Sequence, residues 1–202
     1  MFESIQAWDL SILSAMRNFK DPALVWAAMI VSQIAWKGWL AWISVAAGWV
    51  KGRRHFAVQM ALAMVICVIG GLSLKGLIAR PRPDLYASQQ LNIPMPELLT
   101  TQHSFPSGHT LLAAAFAFVV IRHFRDWRGW AAAAFAVAVA VARVYEGMHW
   151  PSDDIGSIFM GIAAGAIAGP LCNLPFIRQF AIDKVKAPAK AAGARELVGL
   201  SK

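Results

Sequence analysis

Charge is scarce in this sequence. Of its 202 residues only 15% are Asp, Glu, Lys or Arg, against 58% hydrophobic. Soluble domains carry about 25% charged residues, so the ratio argues against one and for a polytopic membrane protein. Cysteine is nearly absent. Cys67 and Cys172 stand in apolar surroundings with no CxxC and no metal-type spacing, and read as small buried hydrophobes. A cleavable leader is not expected either: residues 1–21 include Glu3, Asp9, Arg17, Lys20 and Asp21 and lack an uninterrupted apolar core. Acidic residues are outnumbered, giving a formal charge of +8. The basic residues fall mostly between apolar runs, which favours positive-inside loops over nucleic-acid binding.

Long apolar runs and nine tryptophans are what the chain has instead. In residues 1–21, Phe2, Ile5, Trp8, Ile12, Leu13, Met16 and Phe19 recur at helical spacing, which predicts an amphipathic helix lying in the membrane interface. Residues 22–50 exceed one comfortable span and fall short of two. They are read as two short helices with a tight turn at "WKGW". Further spans are expected over Phe56 to about Ile78, Ser107 to Ile121, Gly129 to Val144, and Ile155 to about Leu174. The fold class is therefore all-α, with six transmembrane helices in one unit over residues 1–178. A basic tail, partly disordered, occupies 179–202.

Three segments are strongly basic: 51–55, 122–128 and 178–202. The positive-inside rule puts them in the cytoplasm. Residues 79–106 and 145–154 then face outwards, and so do His103, His109 and His149, while His55 and His123 face in. The expected location is the plasma (inner) membrane, with the C-terminus cytoplasmic.

The outer face gathers chemistry. "KGLIARPRP" supplies Lys75, Arg80 and Arg82; "PSGH" supplies Ser107, Gly108 and His109; "ARVYEGMHWPSD" supplies Arg143, His149 and Asp153. Cations on an outer face break the positive-inside rule, which points to an anionic ligand. A lone Lys75 would read as snorkelling, but its company makes that the poorer account. Guanidinium forks match phosphate oxygens, and an ammonium adds a compact charge. Ser107 and Gly108 open a helix, where unpaired N–H groups and the macrodipole favour an anion, and Gly108 lets the backbone come close. His109 suits a general acid facing the leaving oxygen. His149 suits a nucleophile, with Asp153 on its other ring nitrogen. Glu146 is expected to pair with Arg143, Asp154 is a chemical alternative to Asp153, and Arg80 reads as a headgroup contact or loop anchor. For His103 and Tyr86, loop-surface roles are favoured over lining a substrate entrance.

These segments resemble the signature of the type 2 phosphatidic acid phosphatase family. Its motifs are Lys-x6-Arg-Pro, Pro-Ser-Gly-His and Ser-Arg-x5-His-x3-Asp. Here they read Lys75 to Arg82-Pro83, Pro106-Ser107-Gly108-His109, and Arg143 to His149 to Asp153, with Ala142 in place of the usual serine. The resemblance implies a phosphohistidine on His149, a phosphate held by Lys75, Arg82, Arg143 and the Ser107 and Gly108 backbone, and no metal or cofactor. Soluble vanadium haloperoxidases share that site, but the spans argue against their chemistry. The function expected is a lipid phosphatase working at the outer leaflet, with a polyprenyl diphosphate such as undecaprenyl diphosphate favoured. Phosphatidylglycerol phosphate, phosphatidic acid and lipid A phosphates stay open, as does transfer to a lipid acceptor. Substrate lipid and membrane lipids are the partners implied. A non-catalytic anion transporter is the alternative class; it calls for mid-span charges and internal repeats, neither of which is clear.

Overall fold

The computed structural model describes residues 2–19, 21–83 and 103–181; Tyr86 and the tail beyond residue 181 lie outside the described residues. Apolar runs bounded by caps and prolines fold here as helices: α1 Phe2–Asn18, α2 Pro22–Ala35, α3 Trp39–Val50, α4 Arg54–Ile78, α5 Gly108–Phe124, α6 Trp127–Tyr145, α7 Pro151–Leu171 and α8 Pro175–Ala181. Among the described residues the one β feature is an isolated bridge between Pro81 and His103. Caps set the starts. The Asp21 carboxylate accepts from the Ala23 N–H at 2.7 Å ahead of Pro22, and Asp126 accepts from the Arg128 N–H at 2.9 Å.

Helix α5 sits at the centre, packed by α4, α6 and α7. Its Ala113, Ala114, Ala115, Ala117, Val119 and Val120 are all buried, as expected of a helix apolar on every side. Small residues there let the neighbours approach. A Cβ on Gly161 of α7 would lie 2.8 Å from Ala114 Cβ and 2.9 Å from the Ala115 backbone N. Backbone cannot swing aside, so Gly161→Ala should separate α5 from α7 and destabilise the fold by about 1–3 kcal/mol. Thermal unfolding in detergent measures it, and an unchanged Tm would contradict this packing. The outward faces are apolar: Trp26, Ile30, Leu72, Leu77, Trp130 and Phe159 are all exposed. Such a surface is at home against lipid.

Four stretches are long and apolar enough to cross a membrane, Pro22–Val50, Arg54–Ile78, Trp127–Tyr145 and Pro151–Leu171, and Gly108–Phe124 is a shorter apolar helix. The expected turn at "WKGW" is present as a 3-10 turn over Trp36–Gly38, with Lys37 and Gly38 at positive φ. The expectation of two crossings in this region is corrected. Phe19, just before α2, accepts a hydrogen bond from the Tyr145 hydroxyl at 2.6 Å, at the end of the bundle that holds His149. After α3, the Arg53 guanidinium lies over Phe124 at 4.9 Å, at the opposite end. Helix α2 packs on α6 and α3 on α4, with few contacts between them. Among the described residues Pro22–Val50 therefore traverses the bundle once, where two crossings were expected. The reason is length: 14 or 12 residues of helix reach only ~21 or ~18 Å, short of a ~30 Å core.

Helix α1 lies against the His149 end. Leu13 and Met16 pack with Val144 and Trp150, while Ile5, Trp8 and Leu10 remain exposed. The inward face of this helix includes Asp9, which is fully buried and was not part of the expected apolar stripe.

Candidate active site

Three chain reversals bring the motif residues together. Helix α4 carries Lys75 in its last turn and stops at Ala79, which adopts φ 48°. Arg80-Pro81-Arg82-Pro83 follows, and each proline disfavours helix for itself and the residue before it. This extended segment runs beside residues 103–104, with the Ser104 N–H donating to the Arg80 carbonyl at 2.7 Å and Lys75 Nζ reaching the His103 carbonyl at 3.4 Å.

The second reversal ends α6. Gly147 has φ 67°, a conformation that favours glycine. The Met148 N–H bonds to the Arg143 carbonyl and the Gly147 N–H to the Val144 carbonyl, at 3.1 and 2.9 Å. This is the Schellman pattern of a helix C-terminus. It turns the chain inward, so that His149 is 2% exposed. Its Nδ1 stands 2.6 Å from the Ser104 carbonyl. A carbonyl can only accept, so Nδ1 carries the proton and Nε2 keeps a free lone pair.

The third is the start of α5. Its first turn is pinned to α7: the Ser107 N–H donates to Ser157 Oγ at 2.8 Å, Ser157 Oγ donates to the Asp153 carbonyl at 2.6 Å, and Thr110 Oγ1 donates to the Asp154 carboxylate. The Ser107 hydroxyl donates to Thr110 Oγ1 at 3.1 Å. This corrects the expectation for Ser107. Its N–H and hydroxyl both have protein partners, because the turn must be fastened to α7 before it can present anything. Gly108 and His109 open the helix instead, both partly exposed, and a Cβ on Gly108 would meet nothing within 4 Å.

Lys75, Arg82, Arg143, His109 and His149 share one electrostatic neighbourhood, the three cations acting on both histidines. Burial, then Arg143, Arg82 and Lys75, hold the His149 imidazole well below its ordinary 6.5, so it is neutral at pH 7. Burial and Arg143 bring Arg82 down to about 10. Arg143 pairs with Glu146, as expected from the sequence. Burial pushes the Glu146 carboxyl up while Arg143 pulls it down. Arg82 Nη1 donates to the Met148 carbonyl at 3.2 Å. The Nε groups of Arg82 and Arg143 are buried without an acceptor. Buried donors are normally satisfied, and two orphans on arginines beside two histidines describe a cradle for an anion.

Asp153 differs from its expectation. Its carboxylate accepts from Arg80 Nη1 and, at 3.1 Å, from the Trp150 N–H, while Ser104 takes the His149 ring. The physical reason is its place at the third position of α7, where a carboxylate reaches back to the exposed amide at the helix start. Arg80 is the anchor of this corner. It joins Asp153 to Asp9, whose carboxylate lies 2.6 Å from Arg80 Nη2 and also accepts from the Ser152 N–H at 2.8 Å and hydroxyl at 2.6 Å. The guanidinium also stacks 5.3 Å from the Trp150 ring. Ser104, Thr110, Ser157 and Asp9 have no site role in the sequence reading. Only Asp9 left a signal there, a charge inside an apolar periodic stretch.

A family model described as the PAP2 superfamily matches residues 56–171, which hold every one of these motif residues. The chain belongs to the PAP2 superfamily. This PAP2 protein is 30% identical over 111 residues to the undecaprenyl-diphosphatase of Sulfolobus acidocaldarius, covering 55% of the chain and 52% of that protein. It is 30% identical over 134 residues to undecaprenyl-diphosphatase BcrC of Bacillus subtilis, covering 63% and 64%. The chain thus spans about half the length of the first of these relatives and less than two thirds of the second. Among solved structures the PAP2 fold here superposes on LpxE of Aquifex aeolicus with a TM-score of 0.65 at 23% identity, covering 79% of this chain and 93% of that one. It also superposes on the PAP2-type phosphatidylglycerolphosphate phosphatase of Bacillus subtilis with a TM-score of 0.62 at 22% identity, covering 83% and 86%. Its apolar helices and these neighbours make this PAP2 chain a multi-pass membrane protein.

Proposed function

We propose that this PAP2 protein is a membrane-integral phosphatase for a lipid phosphate or diphosphate, with a polyprenyl diphosphate such as undecaprenyl diphosphate as the favoured substrate. The observation that carries the reading is the pair of buried, unsatisfied Nε–H donors on Arg82 and Arg143 beside a neutral His149. In this reading Lys75, Arg82, Arg143 and the first amides of α5 hold the phosphoryl oxygens. The bound phosphate anion offsets the three cations and lets His109 take up a proton. His149 Nε2 attacks phosphorus while the bond to the leaving oxygen breaks, and His109 gives that oxygen its proton. Water then attacks the phosphohistidine, His109 takes the water's proton, and free phosphate leaves. Ser104 fixes the His149 tautomer, and Asp153 with Arg80 holds the turn that presents it. The motif serine replaced by Ala142 adds nothing to this cradle, because Ala142 is a buried methyl. The positive-inside reading of 51–55 and 122–128 puts the histidine end at the extracytoplasmic face of the plasma membrane.

The test is purified protein in detergent assayed against polyprenyl diphosphate, phosphatidylglycerol phosphate, phosphatidic acid and lipid A, with and without EDTA. The polyprenyl diphosphate is expected to turn over fastest, and EDTA to leave the rate unchanged. Three cations around the histidines repel a divalent ion, and among the described residues no His/Cys/Asp/Glu group of three converges. Vanadate, which mimics five-coordinate phosphorus, should inhibit. Loss of activity on chelation with recovery on added magnesium or zinc would overturn the histidine mechanism. No release of phosphate from any of the four lipids would overturn the phosphatase reading.

The Asp9 contact adds a further expectation. Asp9→Ala removes one of the two carboxylates on Arg80 and the acceptor of the Ser152 amide. It should lower stability by about 1.5–3 kcal/mol, the scale of hydrogen bonds to charged groups. The same change should reduce kcat with little change in KM, because Asp9 lies beyond the phosphate cradle. An unaltered Tm would mean that α1 does not brace this corner.

A further inference from the structure

We propose that the opposite end of the bundle carries a separate binding site for one anionic glycerophospholipid of the cytoplasmic leaflet. Helix α3 leans on α4 and leaves a groove of about 610 Å³ between itself and α5 and α6. That volume lies in the range of small-molecule sites. The groove's floor is apolar, built from Leu40, Phe116, Val120 and Phe135, and its mouth carries Lys51, Arg53 and Arg128.

The mouth is what selects the occupant. The Arg53 and Arg128 guanidinium carbons lie 4.9 and 5.0 Å from the centre of one ring, that of Phe124. A cation over an aromatic face is attracted by the ring, yet gathering two like charges at one ring opposes that gain. One carboxylate tempers them: Asp126 stands 3.6 Å from Arg128 Nε. Three cations against one acid leave the mouth positive. A phosphodiester between the two arginines satisfies both forks, and its acyl chain has the apolar floor to occupy. Basic pockets between helices on the cytoplasmic side suit anionic lipid headgroups in this way. The substrate is a poor candidate for this site. His109 opens α5 and Phe124 closes it, so the two lie ~22 Å apart along the helix. The inference uses the same sidedness as the proposed function and none of its chemistry.

The experiment is native mass spectrometry of the delipidated full chain titrated with phosphatidylglycerol or phosphatidylcholine of matched chains. One phosphatidylglycerol per chain should be retained at least about tenfold more tightly than phosphatidylcholine. Arg53→Gln with Arg128→Gln should erase the difference, while Ser44→Trp, which fills the groove, should remove retention of both lipids. His149→Ala should bind like the parent, which separates this site from the phosphatase centre. Equal retention of the two lipids by the parent, or a preference that survives the double Gln substitution, overturns the proposal. Melting curves confirm that each variant is folded. If Ser44→Trp fails to fold, the arginine pair still decides.

Discussion

His149→Ala should abolish turnover and leave no acid-labile phosphoenzyme, a loss on the order of 10⁵–10⁶ in kcat, as when other covalent nucleophiles are removed. The geometry behind this is the Nδ1–H held by the Ser104 carbonyl at 2.6 Å, which leaves the lone pair on the opposite nitrogen. Because burial and three cations keep the folded pKa well below 6.5, the imidazole stays neutral to a lower pH than a free histidine. The acid limb of kcat/KM, corrected for the measured ionisation of the substrate, should therefore fall below pH 6.5. The sign for stability follows from the same shift. A folded pKa below the unfolded one means that the unfolded chain takes up a proton first, so stability declines as pH drops through 6.5 towards the folded value. Phosphoenzyme persisting in His149→Ala would assign the nucleophile elsewhere. A corrected acid limb at or above 6.5 would contradict the buried, neutral imidazole.

His109→Ala should cost ~10²–10⁴ in rate, the usual worth of general acid catalysis, and the cost should depend on the leaving group. An alkoxide leaving from a phosphate monoester needs its proton badly; a phosphate leaving from a diphosphate needs it less. Phosphatidic acid hydrolysis should thus fall towards the upper end of that range and polyprenyl diphosphate hydrolysis towards the lower. His109 is partly exposed at the opening of α5, so its loss leaves the buried cradle of arginines intact and KM nearly unchanged. Single-turnover rates on the two substrates decide the matter. Equal losses on both would remove His109 from the proton-transfer role.

Much of the candidate site's convergence was legible because its cations and histidines stand in short motifs at the ends of apolar runs. Lys75, Arg82, His109, Arg143 and His149 come into one neighbourhood as the sequence suggests. Glu146 was readable from a three-residue step on a helix. Backbone roles were not readable. Ser104 acts through its carbonyl, which every residue possesses, and the Ser107 amide is taken by Ser157 fifty positions away. Asp153 looked like a partner for His149 by spacing, yet the local demand of a helix start turned its carboxylate to Trp150, and Arg80 holds its other oxygen. In the fold, apolar periodicity located α1 to α7 but neither the short α8 nor the number of crossings. Residues 22–50 were ambiguous by length, and long-range contacts at opposite ends, Phe19 with Tyr145 and Arg53 with Phe124, separate one passage from two.

The corner that joins Asp9, Arg80 and Ser152 also has a history in time. Asp9 and Ser152 are 143 residues apart in sequence, and synthesis at 5–20 residues per second separates their emergence by roughly 7–29 s. For that interval the nascent chain holds an acidic helix whose final partners do not yet exist. Arg80 arrives first, and Ser152 completes the corner only when α7 is made. A charge buried in lipid without a partner is costly, so Asp9 needs water about it until Arg80 and Ser152 are made. Among the described helices, the last long one, α7, is thus also the one that holds α1 in place.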